Sequence, residues 1–276
     1  MKNSFKDKLK NFFKSFTPYQ IIYLASVVVI VVLFTIFLPD EMLESTDGLS
    51  KGMATLVTTC AIIAVIANPV CELLISKQSK WNFIVSIVFV EITESVVLFA
   101  QGNYASAIIT LLFWIPIDFA SFINWNKHPD EKDEEVTKVK KLSWKADILI
   151  VLGIVAFGFG VGWLLKLIPG AENTFIDAFC SAVGMANAIL LMLRYNEQWI
   201  AWGLYLILDA VLYIMAGSYI MLITVVAMMI NTIYGLIKWL VYIKKHKKEN
   251  ATTINAEQEK NNSANEIANT NNEANK

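Results

Sequence analysis

Eight long apolar runs dominate this 276-residue sequence and leave few ways to fold it. A helix needs about 20 apolar residues, at 1.5 Å each, to cross about 30 Å of hydrocarbon. Runs of that kind lie at 19–38, 52–75, 82–100, 104–125, 146–168, 174–193, 198–216 and 219–243. They are continuous, unlike the alternating ten-residue strands of a membrane barrel. The fold class they predict is an all-α membrane protein with eight transmembrane helices. The first run is too long for a secretory signal, and Pro39-Asp40-Glu41 ends it without a small-residue cleavage site. With 56% hydrophobic and 17% charged residues, the chain is too apolar for one soluble core. A net charge of -1 offers no footprint for nucleic acid. Cys60, Cys71 and Cys180 lie inside apolar runs without metal-ligand spacing and read as small core hydrophobes.

Basic residues set the expected orientation. All but Lys51 and Lys166 of the 23 lysines and arginines fall on the side that holds both termini. The positive-inside rule assigns that side to the cytoplasm of a multi-pass cell-membrane protein. Residues 1–18 form a basic amphipathic start, which also suits a helix lying on an anionic leaflet. Residues 126–145 read as a charged, solvated loop, and 244–276 as a disordered cytoplasmic tail rich in Asn, Ala, Glu and Thr.

Two windows match without gaps: Glu94 to Tyr104 and Asp209 to Tyr219, offset by 115 residues. The next helix of each copy ends on a tryptophan, Trp125 or Trp239, within one residue of the same spacing. Equivalent segments lie four crossings apart, so both copies point the same way. This predicts an extra helix at 19–38, a three-helix repeat at 52–125, a linker helix at 146–168 and a second repeat at 174–243. Parallel repeats place a site between the halves near the midplane.

Ionisable groups at helix centres are costly and mark pathways or sites by default. Glu91, Glu94, Asp118 and Asp209 are such groups. Helical spacing joins Glu91 and Glu94 on one face. It joins Trp199, Trp202, Tyr205 and Asp209 on another, and Asn231 with Tyr234 on a third. Aromatic faces beside carboxylates suit a flat cationic ring that carries hydroxyls. Blander readings stand beside this one. The tryptophans also suit interface anchors, Glu94 and Asp209 helix-to-helix hydrogen bonds, and Asn187 and Asn231 interhelical ties. Asp118 follows Pro116, whose kink also calls for polar company. Gly158, Gly160 and Gly162 read as close helix packing. There is no GxxxxGK[ST], HExxH or GxSxG, and His128 and His246 lie in polar flanks, so neither an enzyme nor a cofactor site is expected.

The stretch Arg194 to Trp202, with Tyr195, Glu197, Trp199 and Trp202, resembles the PnuC family of nicotinamide riboside transporters. Gly102-x-Tyr104, Gly217-x-Tyr219, Tyr234-Gly235 and Trp239 are similar to that family as well. The resemblance spans about 80–245. It implies a SWEET-like three-one-three core, a homotrimer, and facilitated diffusion by alternating access with trapping by a cytoplasmic kinase. Departures include Leu206, where family members often carry Asn, and Phe119 to Trp125 in place of a Tyr-Gly-Trp-Tyr-x-Trp ending. Thiamine, riboflavin or a deoxynucleoside therefore stay open as substrates. A proton-coupled carrier and a membrane scaffold or sensor stay open as functions.

Overall fold

A computed structural model describes residues 16–37, 48–100, 104–131, 133–134, 136–167, 174–216 and 221–274. Among these residues there is no strand, and the helices follow the apolar runs one for one. They are α1 (Pro18–Phe37), α2 (Lys51–Ser76), α3 (Trp81–Ala100), α4, α5 (Trp144–Leu165), α6 (Thr174–Met192), α7 (Gln198–Ala216) and α8 (Met221–Ala274). The helix α4 joins Tyr104–Ile109, a π turn over Thr110–Trp114, and Ile115–Asn126; α3 holds a π turn over Ile87–Glu91. Within the described residues, six helices are long and apolar enough to cross a membrane: α2 to α6 and the Val225–Glu249 part of α8. Two apolar stretches, Pro18–Leu33 and Gln198–Val211, are shorter. The basic start before Phe16, the acidic loop at 38–47, and Gly102, Gly217 and Tyr219 of the matched windows lie outside the described residues.

The chain divides into two compact units, Met1–Leu236 and Ile237–Lys276. The second unit is helical through Ala274. After Lys248 the chain holds neither Gly nor Pro, and its Ala, Glu, Gln and Lys are helix formers that give no stop signal.

Local chemistry fixes where helices begin. The start of α1 is a capping box: Gln20 N–H donates to Thr17 Oγ1 (3.4 Å), and Thr17 N–H donates to Gln20 Oε1 (3.0 Å). Pro18 takes the first helical position, where its missing N–H costs nothing. Ser50 and Ser143 cap α2 and α5 by accepting from Met53 N–H and Ala146 N–H.

The turns that end α2 and α6 are built alike. Gln78 (φ 59°) and Arg194 (φ 66°), 116 residues apart, hold left-handed conformations. In the first turn Gln78 N–H donates to the Ile75 carbonyl and Ser79 N–H to that of Leu74. In the second, Arg194 N–H donates to Leu191 and Tyr195 N–H to Leu190. These bonds satisfy helix-end carbonyls in the manner of an αL cap. The non-glycine residues cost about 1–2 kcal/mol each there, and the carbonyls they present have partners. Thr137 N–H donates to Gln78 O (2.9 Å) and Lys140 N–H to Arg194 O (3.0 Å).

Those partners correct the reading of 126–145 as a solvated linker. Its acidic tip, at Glu131, Asp133 and Glu134, is exposed, as are its two ends, but residues 136–139 are not. The Val136 to Lys140 stretch alternates, burying Thr137 and Val139 as an extended segment. Asn196 N–H donates to Lys140 O, Arg194 Nη1 to Lys138 O, and Leu142 N–H to Glu197 Oε2 (3.1 Å). Composition alone hid this, because main-chain groups do the docking. Burial pulls the Arg194 guanidinium below its ordinary value, and this exchange with Lys138 is what satisfies part of it.

Helix α5 exposes Leu149, Leu152, Trp163 and Leu164, as a hydrocarbon-facing helix does. Its glycines split by face. A Cβ on Gly158 would stand 2.7 Å from the Phe179 ring, and one on Gly162 would strike the Phe175 ring; at Gly160 nothing lies within 4 Å. Gly158 and Gly162 therefore seat the rings of α6 against α5. Overpacking of this kind costs about 1–3 kcal/mol. Gly158→Ala and Gly162→Ala should each lower the melting temperature of detergent-solubilised protein, whereas Gly160→Ala should leave it within a degree or so of wild type, as read by differential scanning fluorimetry.

Candidate functional site

The α2 run carries a single acid, Glu72, three residues after Pro69. Pro69 has no N–H to give the helix and loosens it at that point. Glu72 is only 3% exposed. Its Oε1 accepts from Trp202 Nε1 of α7 at 2.5 Å, and its Oε2 accepts from Asn231 Nδ2 of α8 at 3.1 Å. Tyr23 of α1 is 7% exposed and faces the same carboxyl group. Four helices therefore converge on one carboxylate. Charge-assisted hydrogen bonds are about twice as strong as neutral ones, and they offset part of the several kcal/mol of desolvation.

Aromatic rings flank the carboxylate. Trp202 and Tyr205 stack nearly parallel, with centroids 5.1 Å apart and planes 6° apart. Tyr205 lies against Gly184 of α6, where an added Cβ would touch its ring at 3.5 Å and the Trp114 ring at 3.8 Å. The π turn of α4 ends on that Trp114. On the other side Tyr19 of α1 stacks on Tyr234 of α8 at 4.2 Å. Two buried polar atoms here have no partner, the Tyr19 hydroxyl and Asn231 Oδ1; the Tyr23 hydroxyl has the Glu72 carboxylate. Asn187 Oδ1, on α6 three residues after Gly184, is in the same state.

Of the residues singled out by sequence, Trp202, Tyr205, Asn231 and Tyr234 come together around Glu72. Trp199 does not face it. Its ring, 1% exposed, rests where a Cβ on Gly235 would collide with it, and so packs α7 against α8. Glu91 and Asp118 form a second acidic group between α3 and α4. Glu91 Oε1 accepts from Ser86 Oγ at 3.3 Å, and Asp118 is its electrostatic neighbour. Cys71 lies within electrostatic reach of Glu72, Glu91 and Asp118. Glu94 is exposed on α3, and Asp209 is half-buried on α7 near Cys180 of α6. Trp125 is no interface anchor: it is buried, donates Nε1 to Leu191 O (2.9 Å), and meets Phe83 edge-on. The Tyr-x-Glu-x-Trp-x-x-Trp stretch divides by role. Glu197 receives the docked loop, and Trp202 receives the site.

Sequence reasoning missed Glu72, Trp114, Tyr19, Tyr23 and Gly184. The signal for Glu72 was its position as the sole acid in an apolar run, one turn past a proline. Glu72→Ala strands the Trp202 and Asn231 donors, at about 1–3 kcal/mol for each unsatisfied group. It should lower the melting temperature clearly. Glu72→Gln keeps an acceptor for Trp202, and a flipped Asn231 amide can meet the new NH2 group, so its melting temperature should stay close to wild type.

Comparison with known proteins points one way. The profile of the family described as "Nicotinamide mononucleotide transporter" matches residues 58–241. The "Nicotinamide riboside transporter PnuC" of Neisseria mucosa is 24% identical over 247 residues, covering 86% of both chains. The protein of the same name from Haemophilus influenzae is 21% identical over 238 residues, covering 86% of this chain and 96% of its own. The solved "Crystal structure of the Vitamin B3 transporter PnuC" shares the fold. It has a TM-score of 0.66 at 22% identity and covers 88% of this chain and 100% of its own.

Proposed function

The chain belongs to the nicotinamide mononucleotide transporter family of membrane carriers, and from that premise we propose that it moves nicotinamide riboside across the membrane by facilitated diffusion. The family description and the names of the relatives differ by one phosphate. One observation favours the riboside: the partners of the buried Glu72 carboxylate are Trp202, Asn231 and Tyr23, with no lysine or arginine among them. A mononucleotide phosphate at such a site would face a carboxylate with no guanidinium or ammonium to receive it. Nicotinamide riboside instead brings a pyridinium cation, attracted by Glu72 and by aromatic faces, and hydroxyls that match the unmet groups of Asn231 and Tyr19.

Eight crossings and two parallel three-helix repeats are the frame for this reading. Its support is the pair of like turns at Gln78 and Arg194, offset by 116 residues, beside windows offset by 115. The difference means one additional residue in α3 between those landmarks, and α3 contains a π turn there, at Ile87–Glu91. Likewise Tyr104 to Trp125 is one residue longer than Tyr219 to Trp239, and the π turn at Thr110–Trp114 falls inside it. A π turn absorbs a single inserted residue, and such turns are common at functional sites. The asymmetry between the halves thus sits beside Glu91 and Asp118.

In alternating access, one half rocks against the other. A ligand drives that only through unequal affinity for the two states. The docked 136–142 segment ties the Gln78 turn of one half to the Arg194 turn of the other. Positive-inside orientation would put that tie at the cytoplasmic end. Trapping after entry would fall to a soluble kinase, and a homotrimer is the assembly the resemblance implies. The acidic pair Glu91 and Asp118 favours a second reading, a proton-coupled carrier.

Vesicles containing the purified protein separate these readings. Radiolabelled nicotinamide riboside should enter saturably until inside and outside concentrations match. A tenfold excess of unlabelled riboside should block entry, and the same excess of the mononucleotide should not. Accumulation that appears only with an imposed pH gradient would establish coupling. Equal competition by the mononucleotide would overturn the riboside assignment.

A further inference from the structure

The first helix lies outside the residues matched by the family profile, which begins at position 58. It is nevertheless anchored with care. The capping box of Thr17 and Gln20 fixes its first turn, Gln20 is fully buried, and Lys77 Nζ sits 4.0 Å over the ring of Phe16 just ahead of it. Burial lowers the Lys77 ammonium from its usual value, so the aromatic face is a compensating partner. These contacts set the depth and rotation at which α1 presents Tyr19 and Tyr23 to the bundle.

Both phenol hydroxyls are buried and both are near Glu72; the Tyr23 hydroxyl has the Glu72 carboxylate as its partner, and the Tyr19 hydroxyl has none. Leaving a buried donor unmet costs about 1–3 kcal/mol, so Tyr19 needs an explanation. Phenylalanine would fill the same space without that cost. Free space lies next to both tyrosines. A crevice of about 380 Å³ between α1 and α8 is lined by Tyr19, Tyr23 and aliphatic side chains, with Ser26 as its other polar side chain. A smaller void of about 30 Å³ touches Tyr23 and reaches Pro69, one turn from Glu72. Asn231 Oδ1 adds an unmet acceptor to the unmet Tyr19 donor.

We propose that α1 is a wall of the substrate site, and that the Tyr19 hydroxyl, beside the Glu72-bound Tyr23, determines specificity by binding the hydroxyl groups of a ribosyl substituent. This rests on the riboside reading above and adds to it. Glu72 and the Trp202–Tyr205 stack answer the charged ring, and α1 answers the sugar. A cationic pyridinium without a sugar would use only the first set.

The test uses the full-length purified chain and isothermal titration calorimetry with two ligands, nicotinamide riboside and 1-methylnicotinamide, a pyridinium cation without ribose. Tyr19→Phe should weaken riboside binding by about 5- to 30-fold and leave 1-methylnicotinamide within twofold of wild type. Its ligand-free melting temperature should be unchanged or raised, because a lost hydroxyl that bonded to nothing removes no support. Tyr23→Phe should also weaken riboside binding, and its ligand-free melting temperature should fall, because it takes a donor from Glu72. Unchanged riboside affinity in Tyr19→Phe would overturn the proposal. So would a lower ligand-free melting temperature of Tyr19→Phe with both ligands weakened equally, which would make Tyr19 structural. Wild-type protein that binds no riboside would instead overturn the riboside reading itself, before either variant is compared.

Discussion

A carboxylate in hydrocarbon is tolerated only if other parts of the chain come to it, and Glu72 is where this chain converges. Trp202 arrives from α7, Asn231 from α8 and Tyr23 from α1. Each donor is itself positioned by packing. Trp199 sets α7 on α8 through Gly235, Gly184 leaves room for the Tyr205 ring that stacks under Trp202, and the Thr17 cap fixes the first turn of α1. Replacing the acid and its donors together by apolar residues would free the bundle from a desolvation penalty of several kcal/mol. A group with that penalty is explained by what it binds.

The two ends of the bundle differ in how they hold together. At the end that carries Gln78 and Arg194, closure is by main-chain hydrogen bonds from a docked segment, over two turns strained into left-handed geometry. Nearer the middle, the chain is held by aromatic stacks and a few polar pairs, several with unmet hydrogen-bonding capacity. Short docked segments can release and reform without unfolding a helix. A half-satisfied polar interior accepts a polar guest. Together these are the mechanical and chemical requirements of a carrier.

Much of this was legible in the residues, and what was missed has physical reasons. Apolar length located every helix, and helical spacing picked out Trp202, Tyr205, Asn231 and Tyr234, because both signals are local to one helix. Glu72 does not recur between the repeats: its counterpart 116 residues on is Ala188, so internal symmetry cannot reveal it. Glu94 and Asp209 do recur, but Glu94 is exposed on α3 and Asp209 lies near Cys180. The segment at 136–142 looked like a solvated linker because side-chain composition says nothing of the main-chain groups that dock it. The roles of Tyr19 and Tyr23 needed the third dimension, since nothing local distinguishes them from tyrosines at a membrane interface.

The central claim is that the Glu72 carboxylate answers the positive charge of the substrate ring. Reduced nicotinamide riboside, the dihydro form, has nearly the same shape and no ring charge. Its dissociation constant and that of the oxidised riboside should be measured on wild type and on Glu72→Gln. Wild type should prefer the cation by tenfold or more, about 1.4 kcal/mol, and the variant should lose most of that preference. An equal preference in both proteins would mean that Glu72 does not sense the charge, and the account would fail at its base.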